Sequence, residues 1–167
     1  MTDNNNNNSA ISSSHPKTVL TYGTFDLFHI GHLKMLQRLK AMGDKLIVAV
    51  STDEFNALKG KRSVYSYEER AAIIAALSCV DLVIPEQSWE QKAQDIQQYQ
   101  VDIFGIGSDW KGKFDELADL CQVVYLDRTP SISTTEVKRA LSNLDSDKIK
   151  QIKDGLDSVL SIVKAIE

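Results

Sequence analysis

Two histidines stand three residues apart in His29-Ile30-Gly31-His32, just behind Gly23-Thr24-Phe25-Asp26 and just ahead of a run with helical spacing. A helix N-terminus carries unpaired N–H groups and a partial positive charge, and two imidazoles there add donors at the same spot. Those residues together make a phosphate site, and Gly31 lets a nucleotide approach the backbone because no Cβ intervenes. Metal ligation by His29 and His32 is the alternative, without the added Cys or Glu of a closed zinc site. Far downstream, Arg128 and the hydroxyl-rich stretch Thr129, Ser133, Thr134 and Thr135 offer a bidentate phosphate fork beside a second capped helix start. Between these regions lies Lys59-Gly60-Lys61-Arg62, a compact basic cluster. A charge run is usually a solvated face, and a lid over a polyphosphate competes with that reading here.

These groups need a scaffold, and the apolar pattern supplies one. Val19–Tyr22, Leu46–Val50, Leu82–Ile84, Val101–Ile106 and Val123–Leu126 read as five strands. A helix follows Gly31, with Leu33, Leu36, Leu39 and Met42 on one face and Gly43 as its stop. Capping signatures at Ser66-Tyr67-Glu68-Glu69, Ser88-Trp89-Glu90-Gln91 and Ser133-Thr134-Thr135-Glu136 start three more. Strands and helices alternate throughout, which predicts an α/β domain with a doubly wound, five-stranded parallel sheet of Rossmann-like type. Ligands in such sheets bind beyond the carboxyl ends of the strands, where the His, Arg and Gly-Ser-Asp109 segments all fall. The dinucleotide fingerprint G-x-G-x-x-G is missing after the first strand, which removes the main support for hydride transfer.

Composition bounds the rest. The chain has 167 residues, 43% hydrophobic and 25% charged, and fits one core. Nineteen Lys and Arg against 23 Asp and Glu leave a net charge of −4, so nothing marks the whole chain for nucleic acid and any anion site must be local. No apolar run approaches the roughly 20 residues of a membrane span. The N-terminus lacks a secretory pattern and two cysteines make a poor disulfide framework, so a cytoplasmic setting is expected. Residues 1–16, rich in Asn and Ser, are expected to be a disordered tail. Residues 17–141 form the expected α/β domain. Residues 142–167 form an amphipathic helix with Ile149, Ile152, Leu156, Val159, Val163 and Ile166 on one stripe.

The stretch Thr21-Tyr22-Gly23-Thr24-Phe25-Asp26 through His29-Ile30-Gly31-His32, with Arg128-Thr129-x-x-Ile132-Ser133-Thr134-Thr135 downstream, resembles the cytidylyltransferase family. The likeness also runs through Trp89-Glu90-Gln91-Lys92 and Asp109-Trp110-x-Gly112-Lys113, and covers about residues 18 to 141. The family signature has Gly where this chain has Ser131. The resemblance implies transfer of CMP from CTP to sn-glycerol 3-phosphate, giving CDP-glycerol and pyrophosphate, in a magnesium-using homodimer that feeds a surface polymer such as teichoic acid. It places His29, His32, Lys61 and Arg128 in catalysis. It puts Thr24, Phe25, Asp26, Gly31, Asp109, Thr129, Ile132, Ser133, Thr134 and Thr135 on the nucleotide, and Lys59 and Lys92 on the acceptor. Magnesium would ride on the CTP phosphates with no protein metal cage. Another acceptor (phosphocholine, phosphoethanolamine or a sugar phosphate), ATP in place of CTP, and a nucleotide-binding module without turnover are the competing readings.

Overall fold

A computed structural model describes residues 15–128, 133–142, 148–151 and 153–155. Five strands, β1 (Thr18–Gly23), β2 (Lys45–Ser51), β3 (Leu82–Glu86), β4 (Ile103–Gly107) and β5 (Gln122–Leu126), form one sheet in the order β3-β2-β1-β4-β5, every pair parallel. Among the described residues the helices are α1 (Ile30–Lys40), α2 (Asp53–Leu58), α3 (Tyr67–Ala75), α4 (Gln91–Gln98) and α5 (134–142), with further helical residues at 148–151 and 153–155. The order reverses at β1, so chain leaving β1 and chain leaving β4 diverge and open a crevice between them.

Continuous apolar runs serve both faces of this sheet because side chains alternate along a strand. Leu20, Tyr22, Ile47, Ala49, Phe104 and Ile106 meet Ile96 of α4 and Phe114 on one face. Val19, Leu46, Val48, Val50 and Ile103 meet Leu36 and Leu39 of α1 and Ile74 of α3 on the other. Helix α1 lies so close that a Cβ on Gly105 would stand 2.1 Å from Leu39 Cδ2. A Cβ at that strand position would force the buried Leu39 side chain to move.

Two expectations change. The segment between β4 and β5 holds no α-helix; the chain makes two 3₁₀ turns, Ser108–Trp110 and Asp115–Asp119, separated by Gly112 at φ 80°. That positive φ breaks any helical run. The second is α2, a six-residue helix capped by Thr52, whose hydroxyl accepts from the Phe55 amide; it is too short to show a period. The capping box at Ser66 is present with both reciprocal bonds. The same reciprocal pairs join Ser88 with Gln91 and Ser133 with Glu136.

Residues 1–14 lie outside the described residues, as do Ile152, Leu156, Val159, Val163 and Ile166 of the C-terminal stripe. His15 and Pro16, read as tail, belong to the described chain, with His15 Nε2 3.0 Å from Asp102 Oδ1. Of the stripe, Ile149 is described; it is helical and exposed. Among the described residues no helix is long and apolar enough to cross a membrane.

Candidate active site

The carboxyl ends of the strands open into a cleft of about 550 Å³ walled by Gly23–Asp26 after β1, Ser51 at the end of β2, Glu86 at the end of β3, and Asp109 and Trp110 after β4. A second chamber of about 300 Å³ adjoins it, walled by His29, Gly31, Gly107, Asp127, Arg128 and Ser133. His32, Asp109, Thr134 and Thr135 line both, so the two chambers meet at His32, beside His29.

His29 is the N-cap of α1, in extended backbone at φ −140°, and its Nδ1 accepts from the Gly31 amide at 3.1 Å. An accepting Nδ1 leaves the neutral ring's proton on Nε2. That nitrogen faces Thr134 Oγ1 at 3.4 Å, and the threonine's own proton goes to the Asp26 carbonyl at 3.2 Å. Burial holds the His29 pKa below the ordinary range, against the opposing pull of Glu136. Burial and then the neighbouring His29 push His32 down to about 4, against Asp26. Both imidazoles are therefore neutral hydrogen-bonding groups at neutral pH. His32 Nδ1 is buried and has no hydrogen-bond partner among the described residues. Leaving a buried polar atom unpaired costs about 1–3 kcal/mol, a cost that a ligand can remove.

The loop that delivers these histidines is strained. Phe25 and Leu27 both adopt positive φ, 53° and 47°, at about 1–3 kcal/mol each. Phe25 is buried, edge-on to the His32 ring at 5.5 Å between centroids, so packing holds the conformation. Asp26 has a second role besides its place on the cleft wall. It lines the cleft, but its carboxylate accepts from the amides of Val64 and Tyr65 at 3.0 to 3.1 Å and pairs with Lys138 at 2.9 Å. Burial would raise its pKa; Lys138 and the two amides outweigh burial and carry it below the usual value. Asp26 thus fastens the β1 loop to the basic loop and to α5.

The basic cluster divides at Gly60, which takes φ 67° in the turn after α2. Lys59 turns inward: Nζ lies 2.9 Å from Ser51 Oγ and 3.4 Å from Glu86 Oε2. Burial lowers its pKa, and Glu86 opposes that shift. Lys61 stays exposed on the cleft rim, its Nζ 5.9 Å from the Trp110 ring. Lys92, from α4, is buried and donates to Glu86 Oε1 at 2.7 Å. Arg128 lies at the surface of the second chamber and directs Nε and Nη2 at Asp109 Oδ2, 3.0 and 2.8 Å away. Thr24 Oγ1 donates to Asn56 Oδ1 at 3.1 Å, which anchors the start of the β1 loop. Thr129 and Ile132 lie outside the described residues, as does Ser131.

Two buried charges at the site escape a reading of the sequence. Arg70 is fully buried and donates to the carbonyls of Thr24, Ser51 and Tyr65 and to Asp53, joining the ends of β1 and β2 to the basic loop. Glu86 accepts from Ser51, Lys59 and Lys92 at the end of β3. A signal exists for each. Arg70 stands four residues before the buried Ile74 on one helix face, and Glu86 stands two after the buried Ile84 on one strand face.

A two-chamber crevice with anion donors at both ends and paired histidines at the junction suits a transfer between two phosphorylated molecules. The cytidylyltransferase-like family model matches residues 20–151. The chain belongs to the cytidylyltransferase-like family. It is 56% identical over 128 residues to glycerol-3-phosphate cytidylyltransferase of Bacillus spizizenii, covering 77% of this chain and 99% of that protein. Against the Staphylococcus aureus glycerol-3-phosphate cytidylyltransferase the identity is 52% over 130 residues, 78% of this chain and 98% of the other. Among solved structures, the lipopolysaccharide core biosynthesis protein from Thermoplasma volcanium superposes with a TM-score of 0.61 at 26% identity, covering 69% of this chain and 99% of that one. The cytidylyltransferase-like core therefore carries the whole crevice described above.

Proposed function

We propose that this chain is an enzyme that transfers CMP from CTP to sn-glycerol 3-phosphate. A phosphate oxygen of the acceptor attacks the α-phosphorus of CTP, the bond from that phosphorus to the bridging oxygen breaks, and pyrophosphate leaves. The attacking oxygen is already anionic at neutral pH, so the reaction asks for no general base. It asks for alignment and for donors where charge accumulates. The observation that carries the reading is the meeting of the two chambers at His32 and Thr134. Lys59 and Lys92 present positive charge to an acceptor phosphate on one side, and Arg128 and the start of α5 receive the nucleotide on the other. His29 and His32 donate as neutral imidazoles at the α-phosphate between them, and Lys61 meets the departing pyrophosphate from the rim.

The carboxylates of the cleft fit magnesium that arrives on the triphosphate. Asp26 is engaged by Val64, Tyr65 and Lys138, and Glu86 by Ser51, Lys59 and Lys92. Asp109, exposed and paired with Arg128, is left to meet a hydrated ion. When bound, the ion neutralises phosphate charge. A homodimer and a cytoplasmic setting are part of the same proposal.

Incubation with CTP, Mg²⁺ and glycerol 3-phosphate should release pyrophosphate, and EDTA should stop it. Turnover with phosphocholine but not with glycerol 3-phosphate overturns the acceptor, and light scattering of the full chain tests the dimer.

A further inference from the structure

Lys92 is 3% exposed, and its ammonium stands among aromatic faces: Nζ lies 4.3 Å from the ring centroid of Tyr22, 4.8 Å from Trp89 and 5.6 Å from Phe114. Its ion partner there is Glu86 Oε1 at 2.7 Å, on a side chain that is itself 3% exposed. The cage is braced from behind. The Tyr22 hydroxyl donates to Asp95 at 2.6 Å, and Phe114 packs edge-on against Phe104 with centroids 5.4 Å apart. Aromatic faces closing on a cation beside a buried carboxylate are the chemistry that recognises quaternary ammonium ligands. In this chain a side chain of its own fills that space.

We propose that Lys92 sets acceptor specificity by occupying this cage, which excludes acceptors that carry a trimethylammonium group and converts an ammonium-recognising pocket into an anion-recognising one. The inference rests on the acceptor reading given above and names the residue that enforces it. Lys59 and Lys92 carry two positive charges against one on Glu86, so this wall of the cleft attracts a phosphate and repels a cationic head group. Removing Lys92 leaves one lysine against Glu86 and opens the faces of Tyr22, Trp89 and Phe114. A trimethylammonium group then finds both parts of its recognition chemistry, the rings and the carboxylate, in the place Nζ held.

The test is Lys92→Ala in the full chain, titrated calorimetrically with tetramethylammonium chloride against sodium chloride as the salt control, with CTP binding as the measure of an intact fold. The wild-type chain should not bind tetramethylammonium, and K92A should. In turnover, the ratio of kcat/KM for phosphocholine to that for glycerol 3-phosphate should rise at least about tenfold, the scale of a desolvated cation–π contact. K92A that binds CTP normally and takes up no tetramethylammonium overturns the proposal. Should loss of the Lys92 partner unfold K92A, Lys92→Ser keeps Glu86 with its Ser51 and Lys59 partners and still opens the cage; it should bind tetramethylammonium, and absence of binding there is equally fatal. Uptake by the wild-type chain in competition with glycerol 3-phosphate would show that Lys92 does not fill the site. These titrations need no turnover, so they fail separately from the acceptor reading, which falls if the wild-type chain releases no pyrophosphate with glycerol 3-phosphate.

Discussion

The rings of His29 and His32 are stacked, 3.9 Å between centroids and 21° from parallel. Burial lowers the pKa of both rings, and for His32 the neighbouring His29 adds to that shift. In the proposed reaction the pair therefore meets phosphate as two neutral groups.

A buried neutral histidine makes stability depend on pH, and the sign follows from proton uptake. Unfolded His32 takes its proton near 6.5 and the folded residue near 4, so between those values the unfolded chain binds more protons. Stability should therefore be unaffected by His32 above about pH 6.5 and fall as pH drops toward 4, by roughly 2 kcal/mol after allowance for partial exposure. Urea midpoints measured across pH 4 to 7 check this; His32→Asn should flatten that part of the profile, and an unchanged slope would show that another group titrates.

His29 has two jobs that one substitution separates. Asn caps helices well, so His29→Asn should keep α1 and the melting temperature while removing the Nε2 donor. The rate should fall about 10²- to 10³-fold, the usual loss for one preorganised donor. Near-normal kcat in that variant would reduce His29 to a cap.

Arg128 meets Asp109 through Nε and Nη2, a planar arrangement that a lysine cannot copy. Arg128→Lys should raise the Kd for CTP or lower kcat by at least about tenfold, with little change in thermal stability because the side chain is exposed. Unaltered kinetics would take Arg128 out of the site.

Asp26 should behave as a fastener. Asp26→Ala removes the carboxylate from the amides of Val64 and Tyr65 and frees the partly exposed Lys138, which should cost about 1–3 kcal/mol, the scale of losing hydrogen bonds to a charged group. Because its folded pKa is depressed, wild-type Asp26 contributes this stability above about pH 4 and loses it as pH falls further. A variant with the wild-type urea midpoint would show that the β1 loop holds without it.

The sheet was legible because strand burial is written in the sequence: Leu46 to Val50 is a continuous apolar run and every one of those residues is fully buried. The histidine pair and the start of α5 were legible because helix starts carry local signatures, as the Ser133–Glu136 bonds show. The structure adds what local pattern cannot hold. Asp26, Arg70 and Glu86 are charged residues whose partners lie far off in sequence, Asp26 with Lys138 and Arg70 with Thr24 and Ser51. A charge in a sequence reads as a solvated surface until tertiary convergence pays its desolvation. The 3₁₀ turns before β5 escaped for a related reason, since so short a segment carries no period to read.

The strand order also bears on how the molecule comes together as it leaves the ribosome. β1, β2 and β3 are consecutive neighbours, so Val19 can find Leu46, and Ile47 can find Leu82, while the remainder of the chain is still being made. Val19 can meet Ile103 only after the intervening chain exists, and closing so long a loop carries the larger entropy cost. The two banks of the crevice are therefore laid down at different times: His29, Lys59 and Glu86 on the early bank, Asp109 and Arg128 on the late one. Pulsed hydrogen exchange during refolding should protect β2 amides before those of β5, and the reverse order would contradict this sequence of events. The power to join two substrates is thus the last property this chain acquires.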